Sequence, residues 1–133
     1  MKNEFIHHAA RAFFASAWAD MADECGSDVI GPSVEIMDVM PDEIDPAALH
    51  AAKTLVMDIE RVNGKPLETL LDIIDNLHNG DRPPTAEYFG HYAAMQSMGH
   101  GVGLYDAFGK EVHDVVKVPH IEFGSYSLSK DYF

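Results

Sequence analysis

The feature that most constrains the fold of this chain is a set of apolar residues that recur every three or four positions, separated by prolines and glycines. Four stretches show this spacing, at residues 4–25, 46–63, 66–77 and 85–105. Such spacing places apolar side chains on one face of an α-helix, where another helix can cover them. We therefore predict a mostly α protein, a compact four-helix (or larger) bundle in which residues 1–133 form a single domain.

Capping residues and helix breakers mark the ends of the predicted helices. Asp45-Pro46 is typical of a helix start, and Asn63-Gly64 is typical of a helix end. A third helix is predicted to start at Pro66 and to close before Asn79-Gly80, and its short linker predicts an antiparallel or steeply angled helix pair. The predicted apolar stripes are Ile6, Ala10, Phe13, Ala17 and Met21; Leu49, Ala52, Val56, Ile59 and Val62; Leu67, Leu70, Leu71, Ile74 and Leu77; and Tyr88, Tyr92, Met95, Gly99 and Val102.

The fourth helix is predicted to begin near Thr85 and to run through three glycines to about Tyr105, unless it ends at Gly101. The segment "GHGVG" matches neither a dinucleotide fingerprint nor a P-loop, because a helix precedes it and no Lys follows the last glycine. Gly99 and Gly103 are four residues apart and share a helix face, and Gly90 and Ala94 lie on a neighbouring track two turns earlier. We expect them to let another helix approach closely, with the alanine-rich first helix as the candidate, and this contact would offset a propensity cost of up to about 1 kcal/mol per glycine.

The remaining segments carry weaker signals. Residues 26–45 are interpreted as a connecting segment, with a short helix or turn around Val34 to Val39. The stretch "VHDVVKVPHIEFGSY" is rich in valine and aromatic residues and predicts one or two short extended or β segments near the C-terminus, at a sheet edge because of Pro119. Residues 124–133 are expected to form a surface tail.

Charge is unevenly distributed along the chain. Twenty-two Asp and Glu residues oppose nine Lys and Arg residues, which gives a formal net charge of -13, and no Lys or Arg occurs from Ala12 to Ala52. Such a field repels nucleic acids and anionic membranes and attracts basic surfaces, although solubility alone would also explain it. The composition therefore predicts a protein partner with a basic surface, and no direct binding of nucleic acid or membrane.

Acidic residues crowd the end of the first predicted helix, where the helix dipole disfavours negative charge. A sequence selected only for stability would carry Lys or Arg there, so the violation suggests a use. The predicted partner-binding residues are Asp20, Asp23, Glu24, Asp28, Asp38, Asp42 and Glu43. A solvated acidic face with no partner is the alternative.

A metal or catalytic site has one candidate. Glu87 and His91 are four residues apart on one helix face, and His7 or His8 could join them. No H-E-x-x-H motif and no clustered Cys/His spacing is present, so His91 could equally be a packed histidine. We therefore predict no catalytic residue, no metal and no cofactor, and we expect the protein not to be an enzyme.

The single cysteine and the absence of a long apolar stretch bear on location. Cys25 cannot form a disulfide within the chain, and its place at a helix C-terminus beside acidic residues disfavours a reactive thiolate. The N-terminus is a poor signal peptide, and no stretch of about 20 apolar residues occurs. A cytoplasmic location in a bacterial host is expected.

Three stretches resemble small uncharacterised accessory proteins that bacterial phages and mobile elements carry. They are "ARAFFASAWADMADE", "FGHYAAMQSMGHGVGLYD" and "VKVPHIEF", which together cover about half of this chain of 133 residues. The resemblance implies an accessory protein without assigned catalytic residues. As a class, small acidic proteins of this origin are similar to anti-CRISPR and anti-restriction inhibitors, which bind host defence complexes.

Three functional hypotheses follow from these observations. The first is an anti-CRISPR-like inhibitor that docks its acidic face onto a nucleoprotein defence complex. The second is a metal-binding protein or enzyme that uses Glu87 and His91 with an N-terminal histidine. The third is a helical structural or regulatory module that self-associates; the sequence does not specify the oligomeric state.

Overall fold

The fold is a bundle of helices, as the periodicity predicts. The structure, a computed structural model, describes residues 2–25, 46–99 and 103–120, with the side chains of residues 14–25 excepted. The described residues form helices α1 (Lys2–Cys25), α2 (Pro46–Asn63), α3 (Leu67–Leu77), α4 (Ala86–Ser97), α5 (Leu104–Phe108) and α6 (Lys110–Val115). None of these residues lies in a strand, so the prediction of a mostly α protein is confirmed. The predicted short helix or turn around Val34 to Val39 and the predicted surface tail at 124–133 fall outside the described residues.

Helix α1 forms its most extensive contacts with α4 and the next most extensive with α2. Phe5 and Phe13 of α1 are fully buried, and the ring of Phe5 meets the ring of Phe89 edge to face, with centroids 5.1 Å apart. Such aromatic pairs add about 0.5–1.5 kcal/mol to the gain from burial. The core of the described residues is therefore organised around the contact between α1 and α4.

A glycine in α4 allows α1 to come close. A Cβ atom added at Gly90 would lie 2.9 Å from the carbonyl carbon and the Cα of Phe5, and closer still to the Phe5 oxygen. We expected this role for Gly99 and Gly103, and for Gly99 the expectation is wrong, since Gly99 is exposed and has no heavy atom within 4 Å of an added Cβ. An added Cβ at Gly103 would meet the backbone and Gln96 of α4, not the first helix.

The predicted continuation of the fourth helix to Tyr105 is also wrong. Helix α4 ends at Ser97, and Gly99 follows with a φ of 76°, a conformation typical of a helix C-terminus. A new short helix begins at Leu104, whose backbone N donates to Oε1 of Gln96 at 3.0 Å. Gly101, the alternative end point, lies outside the described residues.

The buried face of α4 differs from the predicted stripe. The buried residues of α4 are Ala86, Phe89, Gly90, Ala93, Ala94 and Ser97. The predicted Tyr88, Tyr92 and Met95 are only half-buried. Large apolar residues suggested the face, but apart from Phe89 the buried residues are small, and small residues permit close approach between helices.

Helices α2 and α3 have the bounds that their capping signals predict. In α2 the buried residues are Ala48, Ala51, Ala52, Leu55, Val56 and Ile59. Of the predicted stripe, Leu49 is half-buried and Val62 is 43% exposed, so Ile59 is the last buried residue of this helix. In α3 the predicted apolar stripe is correct, with Leu67, Leu70, Leu71 and Ile74 buried and Leu77 half-buried.

A side-chain hydrogen bond joins the end of α2 to the start of α3. The Oε2 of Glu60 accepts from the backbone N of Leu67 at 2.9 Å.

The prediction of extended or β structure after Gly109 is wrong for residues 110–115. These residues form α6, which starts after Gly109 adopts a φ of 98°. Val112 and Val116 are both buried. Residues spaced by four lie on the same face of a helix, so both valines face the core. Burial here outweighs the preference of valine for strands, which is strongly context-dependent.

The segment after α6 is attached to α2 by a side-chain clamp. The Nδ2 of Asn63 donates to the carbonyl oxygen of Lys117 at 2.8 Å, and the backbone N of Lys117 donates to Oδ1 of Asn63 at 2.9 Å. The two residues are 54 positions apart in the chain. No helix among the described residues is long and apolar enough to cross a membrane.

Candidate functional site

A cavity of about 370 Å³ lies where α1, α4 and the loop before α4 meet. We call it the Arg82 cavity. Its lining residues are His8, Arg82, Glu87, Tyr88, His91 and Tyr92. The cavity therefore combines a guanidinium, a carboxylate, two imidazoles and two phenol rings.

Helix α4 supplies four of these six side chains, and its start is fixed by an N-cap. The hydroxyl oxygen of Thr85 accepts from the backbone N of Tyr88 at 3.4 Å, as the predicted start near Thr85 requires. Tyr88 and Tyr92 are four residues apart, and their rings stack with centroids 6.5 Å apart and an interplanar angle of 23°. The ring of His91 meets the ring of Tyr92 edge to face at 4.9 Å.

Arg82 is held at the mouth of the cavity by the two tyrosines. Its Nε donates to the Tyr92 hydroxyl at 3.1 Å, and its guanidinium carbon lies 5.8 Å from the centre of the Tyr88 ring. The hydrogen bond to Tyr92 raises the pKa of Arg82, so the guanidinium is charged throughout the working pH range. Among the described residues no carboxylate lies within ion-pair distance of this guanidinium.

The loop that carries Arg82 is fixed to α5 by backbone hydrogen bonds. The backbone N of Arg82 donates to the carbonyl oxygen of Ala107 at 3.1 Å, and that of Asn79 donates to the oxygen of Phe108 at 2.7 Å. Gly80 fits between them, because a Cβ there would lie 2.7 Å from the Ala107 carbonyl carbon. The position of the guanidinium therefore depends on the packing of α5.

The two histidines of the cavity favour their neutral forms. Burial is the main cause that lowers the pKa of His91, and the nearby His8 and Arg82 lower it further. Burial also lowers the pKa of His8, with Arg11 and His7 acting in the same direction and Glu87 opposing them. The Nδ1 atom of His91 is buried and has no hydrogen-bond partner among the described residues. Both imidazoles are therefore mainly uncharged near neutral pH.

The structure brings together the residues of the predicted metal or enzyme site. His8, Glu87 and His91 line one cavity, while His7 is not among the lining residues. Within the described parts of the chain, no group of three or more His, Cys, Asp and Glu residues is placed to hold a metal ion. The guanidinium of Arg82 also disfavours a cation in this cavity. The arrangement suits an anion, or proton transfer by a neutral imidazole.

A second concavity, which we call the acidic groove, has a volume of about 440 Å³. Glu4, Asp72, Asp75 and Glu87 line it together with Leu71, Pro84, Thr85 and Ala86. The pKa of Glu4 is lowered by its local interactions, so this carboxylate already has a partner. Glu87 lies between the groove and the Arg82 cavity and lines both.

The predicted partner-binding residues remain a prediction. Asp20, Asp23 and Glu24 lie in the last turns of α1, and their side chains are outside the described part of the structure. Asp28, Asp38, Asp42 and Glu43 lie outside it altogether.

Sequence reasoning did not identify Arg82 as a site residue. The available signal was the arginine of "DRPP", three residues before a capping threonine and followed by a Tyr-x-x-x-Tyr pair. We had interpreted Tyr88 and Tyr92 as core residues. Only the half-burial of the two rings, with Arg82 beside them, shows that they line a cavity.

No protein-family model, curated protein or solved structure matches this chain. The resemblance to phage accessory proteins therefore stays a prediction. The roles of individual residues come from the geometry of the Arg82 cavity and the acidic groove.

Proposed function

We propose that this protein acts by binding another protein. It is a small acidic inhibitor from a phage or mobile element, anti-CRISPR-like and non-enzymatic, and it docks an acidic face onto a basic, nucleic-acid-binding surface of a host defence complex in the cytoplasm. The observation that carries the proposal is the concentration of negative charge, -13 in 133 residues with no Lys or Arg from Ala12 to Ala52. Such a field accelerates encounter with basic surfaces and opposes binding of nucleic acid itself.

The acidic groove supports the same proposal from the described residues. Asp72 and Asp75 are exposed there, and none of the eight lining residues is Lys or Arg. An open groove with this lining suits Lys or Arg side chains from a partner. The docking face would then combine the groove with the predicted acidic residues of α1 and the following segment.

The test is a pull-down with tagged protein from a bacterial host lysate that contains active defence systems, read by mass spectrometry over a series of salt concentrations. We expect recovery of a nucleoprotein defence complex that weakens as salt rises, because exposed charge pairs are screened. Reversing Asp20, Asp23 and Glu24 to Lys should abolish recovery. Retained recovery by this triple variant would refute docking through the end of α1.

A matched control reverses the same number of charges elsewhere. Asp106, Glu111 and Asp114 are exposed on α5 and α6, so their reversal to Lys changes the net charge equally. We expect this control to bind almost as the parent protein does. Equal loss in both triple variants would mean that only net charge matters and would contradict a defined docking face.

A second candidate function has a specific observation in its favour. His8, Glu87 and His91 share one cavity, which is the residue set of the metal-binding or enzyme hypothesis. A neutral imidazole such as that of His91 is suited to act as a general base. Metal analysis after purification without chelators tests the metal version, with His91→Gln as the variant and the exposed His50→Gln as its control. Stoichiometric metal that only His91→Gln loses would support this function.

A further inference from the structure

We propose that the Arg82 cavity binds a small aromatic monoanion, an aryl carboxylate, with its carboxylate on the Arg82 guanidinium and its ring against Tyr88 and Tyr92. This site differs from the acidic docking face of the proposed function, and the inference does not depend on that function. The proposed ligand is an anion, whereas the acidic face would bind a basic, positively charged surface.

The first argument is the state of Arg82. Its Nε is engaged by the Tyr92 hydroxyl at 3.1 Å, and the described residues provide no carboxylate at ion-pair distance. The two terminal nitrogens of a guanidinium recognise a carboxylate in a bidentate manner. Asp81, the preceding residue, attracts Arg82 electrostatically without forming an ion pair with it, in a chain where acids outnumber bases 22 to 9. The terminal nitrogens of Arg82 can therefore donate hydrogen bonds to a carboxylate from outside the protein.

The second argument is the shape and lining of the cavity. Its volume of about 370 Å³ falls at the lower end of the roughly 300–1,000 Å³ that small-molecule sites occupy. The rings of Tyr88 and Tyr92 both line the cavity beside the guanidinium and provide aromatic carbon for contact. A planar ring can contact them while its carboxylate reaches Arg82.

The third argument is the charge balance, which selects a single negative charge. The cavity holds one guanidinium and one carboxylate, that of Glu87, and its two imidazoles favour the neutral form. A dianionic phosphate would meet the repulsion of Glu87 with only one cation to balance it. Neutral imidazoles can still donate a hydrogen bond to a carboxylate oxygen. The site therefore fits a carboxylate better than a phosphate monoester.

The experiment is a titration of the isotopically labelled full chain with benzoate, followed by nuclear magnetic resonance. We expect saturable shifts in residues of α4 and in Arg82, with a dissociation constant in the millimolar range. Acetate, benzyl alcohol and phenyl phosphate serve as probes that lack the ring, lack the charge or carry a second charge. Each should bind more weakly than benzoate. Tighter binding of phenyl phosphate would overturn the monoanion, and equal binding of acetate would overturn the role of the rings.

Two variants test the residue assignment. Arg82→Gln should weaken benzoate binding by about tenfold, because a charge-assisted hydrogen bond is lost. Arg61→Gln removes a guanidinium that pairs with Asp58 on α2 and should leave binding unchanged. Tyr92→Phe removes the hydroxyl that holds Arg82 and keeps the ring, so it should also weaken binding while the fold is retained.

The histidines provide a readout that does not depend on affinity. A carboxylate bound beside His91 should raise the pKa of that imidazole, measured from the pH dependence of its ring shifts. Absence of saturable shifts, or unaltered benzoate binding in Arg82→Gln, would overturn the proposal. Neither result would bear on the pull-down that tests the acidic docking face.

Discussion

Replacing Gly90 with alanine tests the contact that organises the core. In α4, Gly90 faces the backbone of Phe5 in α1, and an added Cβ would lie 2.9 Å from two backbone atoms of Phe5. Ordinary contacts begin at 3.4 Å, and the Phe5 oxygen would lie closer still, so the two helices would have to separate by more than about 0.5 Å. Backbone atoms cannot rotate away as a flexible side chain can. The substitution therefore strains the interface between α1 and α4 as a whole.

Two effects of opposite sign set the expected size of the change. Alanine gains about 1 kcal/mol of helix propensity over glycine in a helix interior. Overpacking costs about 1–3 kcal/mol, and the upper end applies here because both sides of the contact are backbone or directly attached to it. Taking about 3 kcal/mol of strain less about 1 kcal/mol of propensity, we expect a net destabilisation of about 2 kcal/mol. Gly90→Ser should cost more, since it adds a further atom at the same place.

The assay is urea unfolding of the full chain, followed by far-ultraviolet circular dichroism. Gly64→Ala is a useful comparison because Gly64 has a φ of 65° and no heavy atom within 4 Å of an added Cβ. We expect about 1 kcal/mol of backbone strain from that change and no steric component. A Gly90→Ala protein as stable as the parent, or more stable, would refute the close approach of α1 and α4.

Three further predictions concern stability. Because burial lowers the pKa of His8 and His91, the unfolded chain binds protons first as pH falls, so stability should decrease from about pH 7 to about pH 5. Urea unfolding at several pH values should show a flatter profile after His91→Gln; an unchanged profile would contradict the assignment. Asn63→Ala should cost about 1–2 kcal/mol by removing the clamp on Lys117, whereas a neutral effect in the same assay would mean that the clamp contributes nothing. Gly80→Ala should cost about 1–3 kcal/mol by pushing its loop off α5; thermal unfolding measures this, and unchanged stability would argue against the contact.

Capping residues and helix breakers predicted the ends of the helices well, because these signals act between residues that are close in the sequence. Asp45-Pro46 and Asn63-Gly64 gave the ends of α2, and Thr85 gave the start of α4, because capping depends on hydrogen bonds within one turn. The same local view failed at Val112 to Val115, where burial against the rest of the bundle outweighed the strand preference of valine. Which face of α4 is buried also depended on a partner helix that the periodicity could not specify.

The candidate site could be predicted only in part. The spacing of Glu87 and His91 placed both residues on one face of a helix and suggested His7 or His8 as a third member, and of these two it is His8 that lines the same cavity. Arg82 and its two tyrosines were missed as a set, because Arg82 belongs to a loop whose position depends on hydrogen bonds to α5, some 25 residues further along the chain. The spacing of apolar residues carries no information about a contact between a loop and a helix that is distant in the sequence.

The sequence by itself determined the helical class, the ends of α2, the stripe of α3 and the excess of negative charge, since each depends on composition or on residues within a few positions of one another. Only the tertiary structure decided that Gly90 meets Phe5, that Gly99 ends a helix instead of packing, and that Arg82 lies over Tyr88. These outcomes depend on which helix faces which across the core. Long-range packing settles that choice by close fit between surfaces distant in sequence.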